Sequence, residues 1–270
     1  MSVWGHQKPC GSSNHLLQPT PVPSLNDCVG VSCGNNYTLA WTRNGRAFSW
    51  GSNLNGVLGH GTVSGGSVAN PTLIKALENV NIVNMDAGFS HCGAITDEGK
   101  LYMWGRAKYG ALGLGRDVTK NDVSLPCLVD GMVNLKALSC NKGENHGHTL
   151  AVSHSGDVYA CGDGYKGKLG LGDQESRFTF THLARDMFSG GAVSGVSSGG
   201  IHSACVCEGG RVWSWGCGSD GRLGHPEAEG HRYLFRSDVP RAVEGLGEGS
   251  AVKVSASYYH TVALVNSNDQ

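Results

Sequence analysis

Long apolar runs are missing from this 270-residue chain. The opening MSVWGHQKPC holds no stretch of the about 7–15 apolar residues that a secretory signal needs. No later segment reaches the roughly 20 that span a bilayer. A soluble intracellular protein, cytoplasmic or nuclear, is therefore expected. An excess of either charge is missing too: 21 basic residues face 22 acidic ones for a net charge of −1, so no global field favours a nucleic-acid backbone or acidic lipid. The ten cysteines include no Cys-x-x-Cys, and Cys205-x-Cys207 has no second ligand pair beside it. That pattern argues for reduced, buried thiols rather than metal ligands or disulfides. No Ser/His/Asp or paired-carboxylate constellation stands out, so catalysis on a small substrate is not expected and no cofactor or metal is implied.

Glycine, by contrast, is abundant at 42 residues, more than twice the usual share of about 7%, which signals many tight turns. The turns belong to an internal repeat. FSWGSNLNGVLGHG, YMWGRAKYGALGLG, YACGDGYKGKLGLG and WSWGCGSDGRLGHP align without a gap, anchored at Trp50, Trp104, Cys161 and Trp215 with spacings of 54, 57 and 54. Five residues before the anchors lie the two-residue turns Asn44-Gly45, Glu98-Gly99, Ser155-Gly156 and Gly209-Gly210, which predict hairpins. Thirteen residues before them stand Tyr37, His91, His148 and His202, in segments whose alternation predicts strands. After each anchor come Gly56, Gly110, Gly167 or Gly221 and then the pairs Leu58-Gly59, Leu112-Gly113, Leu169-Gly170 or Leu223-Gly224, glycines for turning and leucines for plugging. Pro71, Pro126 and Pro240 follow in segments that suit outer edge strands.

A unit of four short strands recurring every 50-odd residues has the size of a propeller blade, so the fold class is all-β, a β-propeller of four-stranded blades. The units span about 29–82, 83–136, 137–194 and 195–250, with partial units at 1–28 and 251–270, all expected to form one propeller domain. The pattern Cys-Gly-x-x-His-Thr-Leu-Ala, a glycine turn, then Trp-Gly-x-x-x-x-Gly-x-Leu-Gly resembles the regulator-of-chromosome-condensation repeat over about residues 29–265. That resemblance implies a propeller, typically of seven blades. It also implies either an interaction scaffold or, as in the founding member, a guanine-nucleotide exchange factor for a Ran-like small GTPase. The founding member's wedge and acidic face residues do not map onto positions here.

The two ends fit one another as halves of a blade: His260 lacks a Trp-Gly after it, and Trp4-Gly5 lacks a histidine strand before it. Two arrangements are consistent with this, a five-bladed ring closed by both ends or part of a seven-bladed ring. The repeated histidines and tryptophans recur at one structural position per unit, as core residues do. Recognition is expected where the repeats differ. The turn segments offer Arg106, Lys108 and Tyr109 in one unit and Asp163, Tyr165 and Lys166 in the next. Extra residues at 140–147 offer Glu144 and His146, and the charged loop PEAEGHRYLFRSD offers Glu227, His231, Arg232 and Arg236. A protein partner, with a small GTPase among the candidates, is expected on that face; no membrane is expected, and nothing points directly to nucleic acid.

Gly162 to Lys168 matches GxxxxGK, but Leu169 stands where a phosphate loop needs a hydroxyl for magnesium, and the segment is simply the third copy of the repeat. Titration with ATP or GTP should show no heat of binding; saturable binding abolished by Lys168→Ala would overturn this.

Overall fold

The computed structural model describes residues 1–5, 15–63, 65–226, 235–246 and 250–266. Four antiparallel four-stranded sheets follow one another along the chain, each a sequential meander. The first blade is β3 (Cys28–Cys33), β4 (Tyr37–Thr42), β5 (Ala47–Ser52) and β6 (Ser67–Leu73), preceded by the pair β1 (Ser2–Gly5) and β2 (Leu16–Pro21). The second is β7 (Ile82–Ala87), β8 (His91–Thr96), β9 (Leu101–Gly105) and β10 (Val123–Leu128). The third is β11 (Leu135–Cys140), β12 (His148–Ser153), β13 (Val158–Gly162) and β14 (Arg177–Leu183). The fourth is β15 (Val193–Ser198), β16 (His202–Cys207), β17 (Val212–Cys217) and β18 (Arg236–Ala242), followed by the pair β19 (Ala251–Ala256) and β20 (Thr261–Val265). Among the described residues the helical content is limited to 3-10 turns of three or four residues, and no helix is long and apolar enough to cross a membrane. Pro71, Pro126 and Pro240 all fall in outermost strands, β6, β10 and β18, where a missing N–H costs least.

The core is divided among the blade interfaces. Leu58 and Tyr37 of the first blade pack with Met85, Cys92 and Trp104 of the second. Leu169 of the third packs with Trp213 and Trp215 of the fourth. The Trp-Gly glycines close the strand ends: Gly105 has φ +103, and a Cβ there would come within 2.7 Å of the Ser90 carbonyl oxygen.

Side chains also link consecutive blades by hydrogen bonds, with one carbonyl per blade as the receiver. The Val57 carbonyl accepts from the Cys92 thiol at 3.3 Å and the Trp104 indole at 2.8 Å. The Ala111 carbonyl accepts from Thr149 at 2.7 Å and Cys161 at 3.6 Å. The Lys168 carbonyl accepts from Ser203 at 2.7 Å and Trp215 at 2.9 Å, and the Arg222 carbonyl from Thr261 at 2.9 Å. Because those hydroxyls spend their hydrogens on carbonyls, their oxygens accept from the preceding blade's histidine. His91 Nε2 donates to Thr149 at 2.8 Å, His148 Nε2 to Ser203 at 2.9 Å and His202 Nε2 to Thr261 at 2.8 Å. Tyr37, in the histidine position of the first blade, gives its hydroxyl to the Gly88 carbonyl at 2.8 Å.

Among the described residues the two chain ends share no sheet, so no composite blade is formed by them. β1 pairs with β2 and β19 with β20, in two separate two-stranded sheets. The packing explains this: Met1, Val3 and Val22 lie on Leu25, Ala40 and Trp50 of the first blade, whereas Ala251 and Val254 lie on Ala204 and Val206 of the fourth. Each hairpin covers a different end of the row, so the described residues form four complete blades and two partial ones.

Burial holds the blade histidines neutral, pushing His91 and His202 down to about 3 and His148 well below its ordinary value. The unfolded chain binds protons below about pH 6.5 that the folded chain refuses. The stability these groups contribute is therefore present above about pH 6.5 and falls as the pH drops toward 3. Urea midpoints at pH 7.5, 6.0 and 5.0 should decline steadily; a flat profile would show that these rings are not confined as neutral donors.

Candidate functional site

The turn between the third and fourth strands of each blade is a short 3-10 turn whose residue before the glycine is left-handed: Asn55 at φ 62°, Tyr109 at 61°, Lys166 at 61° and Asp220 at 62°. Asn and Asp tolerate that region best, so Tyr109 and Lys166 sit in strained backbone. His146, in the extra loop of the third blade, is also left-handed at φ 63°.

Two of these residues, Tyr109 and His146, meet with Tyr165, the neighbour of Lys166. The His146 ring stacks between Tyr109, at 5.6 Å and 22° between planes, and Tyr165, at 5.1 Å and 24°. Tyr109 is 36% exposed and Tyr165 45%, so the stack is a surface feature rather than core. Asp163 anchors it: one carboxylate oxygen accepts from His146 Nδ1 and faces Lys168 Nζ at 3.5 Å, and the other accepts from the Tyr165 N–H at 2.8 Å. Lys168 is fully buried, and burial lowers its ammonium to about 8 against the opposing pull of Asp163. Lys108 Nζ lies 4.9 Å from the Tyr109 ring centre and Lys166 Nζ 5.8 Å from that of Tyr165. Arg106 donates to the Glu144 carbonyl at 3.3 Å.

A second anchor fixes the loop that carries Glu144 and His146. On the innermost strands a ladder joins blade to blade, the Ala87 N–H donating to Ser32 Oγ at 3.0 Å, Ser198 to Ser139 at 2.9 Å and Ala256 to Ser197 at 2.8 Å. At one rung the acceptor is a carboxylate, Asp86, which takes the Cys140 N–H at 2.7 Å. Lys142, from the extra loop, reaches back to both Asp86 oxygens at 3.2 and 3.3 Å and to the Ala87 carbonyl at 2.5 Å.

Eight of the twelve residues picked out from sequence, Arg106, Lys108, Tyr109, Glu144, His146, Asp163, Tyr165 and Lys166, are thus brought together. Arg236 is not among them: it opens strand β18 rather than lying in a loop, and pairs with Asp238 at 3.1 Å. Glu227, His231 and Arg232 lie outside the described residues. Sequence reasoning missed Asp86, Lys142 and the anchoring roles of Asp163 and Lys168. Asp86 had a signal, since the residue five before the aromatic or histidine is Ser32, Ser197 or Ser255 in other units.

Ser90, Arg106, Tyr109, Ala111 and His146 close around a cleft no larger than a water molecule, too small to enclose a metabolite. Among the described residues no group of three or more His, Cys, Asp or Glu is placed to hold a metal. Consecutive four-stranded antiparallel blades joined in sequence order define a β-propeller repeat protein. Residues 44–95, 98–152, 155–206 and 209–264 match the Regulator of chromosome condensation (RCC1) repeat, and 28–57 match a second form of it. The chain belongs to that repeat family.

The Ultraviolet-B receptor UVR8 of Arabidopsis thaliana is 32% identical over 95% of this chain and 56% of its own length. Human WBSCR16 superposes with a TM-score of 0.82 at 22% identity, covering 97% of this chain and 65% of that one. Prp20p of Saccharomyces cerevisiae, described with its binding to Gsp1p and histones, gives 0.76 at 21% identity, covering 98% and 62%. The chain therefore spans less than two thirds of the length of these proteins.

Asp86→Ser restores the ordinary rung of the ladder while releasing Lys142. The melting temperature should shift only slightly, as for changes worth about ±0.5 kcal/mol, while amide exchange across residues 142–147 rises at least tenfold. Unchanged exchange would mean that Lys142 does not hold the loop.

Proposed function

We propose that this chain is a non-catalytic interaction module that binds a protein partner through the face bearing the Tyr109–His146–Tyr165 stack. The observation that carries this reading is convergence: residues from the second blade's turn, the third blade's turn and the third blade's extra loop assemble one exposed patch that the repeat does not need in order to fold. A tyrosine and a lysine at left-handed positions where the other blades place Asn55 and Asp220 support it, since a residue ill-suited to its backbone persists where function uses its side chain. Tyrosine and arginine at the centre of a patch are also the residue types that dominate binding energy in interfaces. Prp20p, with the same fold, is a binder of Gsp1p and histones, which makes a protein ligand the natural first choice.

The test uses variants that spare the core. Tyr109→Asn places in the second blade the residue type that the first blade carries at Asn55, and Tyr165→Ala removes the other outer ring. The double variant should melt no lower than the parent, because it relieves a left-handed tyrosine, yet lose partners that the parent retains, by tenfold or more in affinity. Retention of every partner at unchanged affinity would place recognition elsewhere. Release of labelled GDP from Ran-like GTPases should proceed at the same rate with and without the chain; a rate raised tenfold would replace this reading with nucleotide exchange.

A further inference from the structure

The charges around the stack are unevenly committed. Asp163 is engaged by His146, Lys168 and the Tyr165 N–H, and Asp86 by Ser32, Cys140 and Lys142. Both carboxylates are consumed inside the fold. Arg106, Lys108 and Lys166, by contrast, take part in no ion pair among the described residues, and neither do the two exposed carboxylates nearby, Glu144 and Glu175, the latter with its backbone against Gly164. Three unpaired cations against two unpaired carboxylates leave a local positive excess in a chain whose net charge is −1. The equivalent turns of the first and fourth blades, Ser52 to Asn55 and Cys217 to Asp220, contain no cation at all. The positive charge is thus confined to the place where the rings stack.

We propose that this patch takes an extended acidic segment of a protein partner, its carboxylates lying on Arg106, Lys108 and Lys166 and its backbone and apolar atoms on the exposed tyrosine edges. The proposal rests on the reading of this face as the partner face, and adds the chemistry of what it accepts. Nucleic acid fits less well. Each tyrosine already has one face against His146 and an ammonium over its ring, and ring centres 5.1 and 5.6 Å apart leave no room for a base to enter, which needs about twice the 3.4 Å base step. Three cations are also few for tracking a phosphate backbone, whereas they match two or three carboxylates on one extended peptide.

The probe is a fluorescein-labelled twelve-residue peptide of alternating Glu, Asp, Gly and Ser, titrated with the full chain and followed by anisotropy. Binding is expected, weakened at least threefold between 50 and 300 mM NaCl as solvent-exposed charges are screened. Lys108→Glu with Lys166→Glu should weaken it tenfold or more at an unchanged melting temperature, and Glu144→Gln should tighten it. A lysine-for-acid version of the peptide should not bind. The proposal falls if the acidic peptide fails to bind the parent, if the two charge reversals leave its affinity unchanged, or if a labelled oligothymidylate of equal charge binds more tightly through the same lysines. Should the peptide fail while the Tyr109→Asn, Tyr165→Ala variant still loses its protein partner, the face stands and only its acidic specificity is wrong. Should neither change matter, both readings fall.

Discussion

The carbonyl just before each Leu-Gly pair holds the blades to one another. Carbonyl oxygen has two lone pairs, and at Val57, Ala111 and Lys168 both are used by side chains of the following blade. A buried donor left unpaired costs about 1–3 kcal/mol. The position of that carbonyl therefore decides whether the next tryptophan or hydroxyl can be buried at all. The carbonyl is aimed by the turn that precedes it, and the turn is shaped by a glycine at positive φ following a left-handed residue. Recognition chemistry is written on those same turns. Tyr109 and Lys166 stand where they do because the next blade's hydrogen bonds require the backbone to pass that way.

Lys168 joins the two levels in one residue. Its carbonyl receives Ser203 and Trp215 in the core, while its ammonium, fully buried, faces Asp163 beneath the stack. A buried ammonium is costly unless paired, so Asp163 is held by a requirement of the core and in turn holds His146 and Tyr165. The third blade departs from the pattern in several places, with Cys161 in place of tryptophan, the extra loop at 140–147, and the carboxylate rung at Asp86 in the blade before it. The last two compensate one another. Lys142 from the extra loop neutralises Asp86, and the ladder that elsewhere runs on serine hydroxyls continues through a charged group without leaving it unpaired.

The period was legible in the sequence because hairpin glycines, strand alternation and Leu-Gly plugs are local signals, each confined to a few residues. Trp50, Trp104, Trp215 and the four leucines were legible as core for the same reason, and all are at most 2% exposed. The arrangement of the ends was not. Counting from His260 to Trp4 captures strand length but not that the faces of both hairpins are already occupied by the first and fourth blades. At the site, differing turns marked Arg106, Tyr109, His146 and Tyr165, but contact between them depends on packing across blades. The bond between Asp86 and Lys142 joins residues 56 apart. No pattern within one repeat encodes it, although the missing serine at position 86 was visible.

The sequence repeat and the structural blade are out of phase, and this bears on where a binding site can arise. The matched segment 44–95 contains β5 and β6 of the first blade and β7 and β8 of the second, so each sequence unit supplies the outer half of one sheet and the inner half of the next. Every covalent unit therefore straddles an interface, and cohesion resides in nearest-neighbour terms of the kind that govern repeat proteins. Segment 98–152 holds Arg106, Lys108 and Tyr109 at one end and Glu144 and His146 at the other; Tyr165 and Lys166 begin the following segment. The stack is consequently built at a single joint between two sequence units. Changes there alter one interface and one patch of surface, while the carbonyl nodes of the other joints keep their own donors. That separation explains how charge, strain and aromatic rings could accumulate on two turns of a repeat whose remaining turns, at Asn55 and Asp220, keep residues better suited to the left-handed backbone.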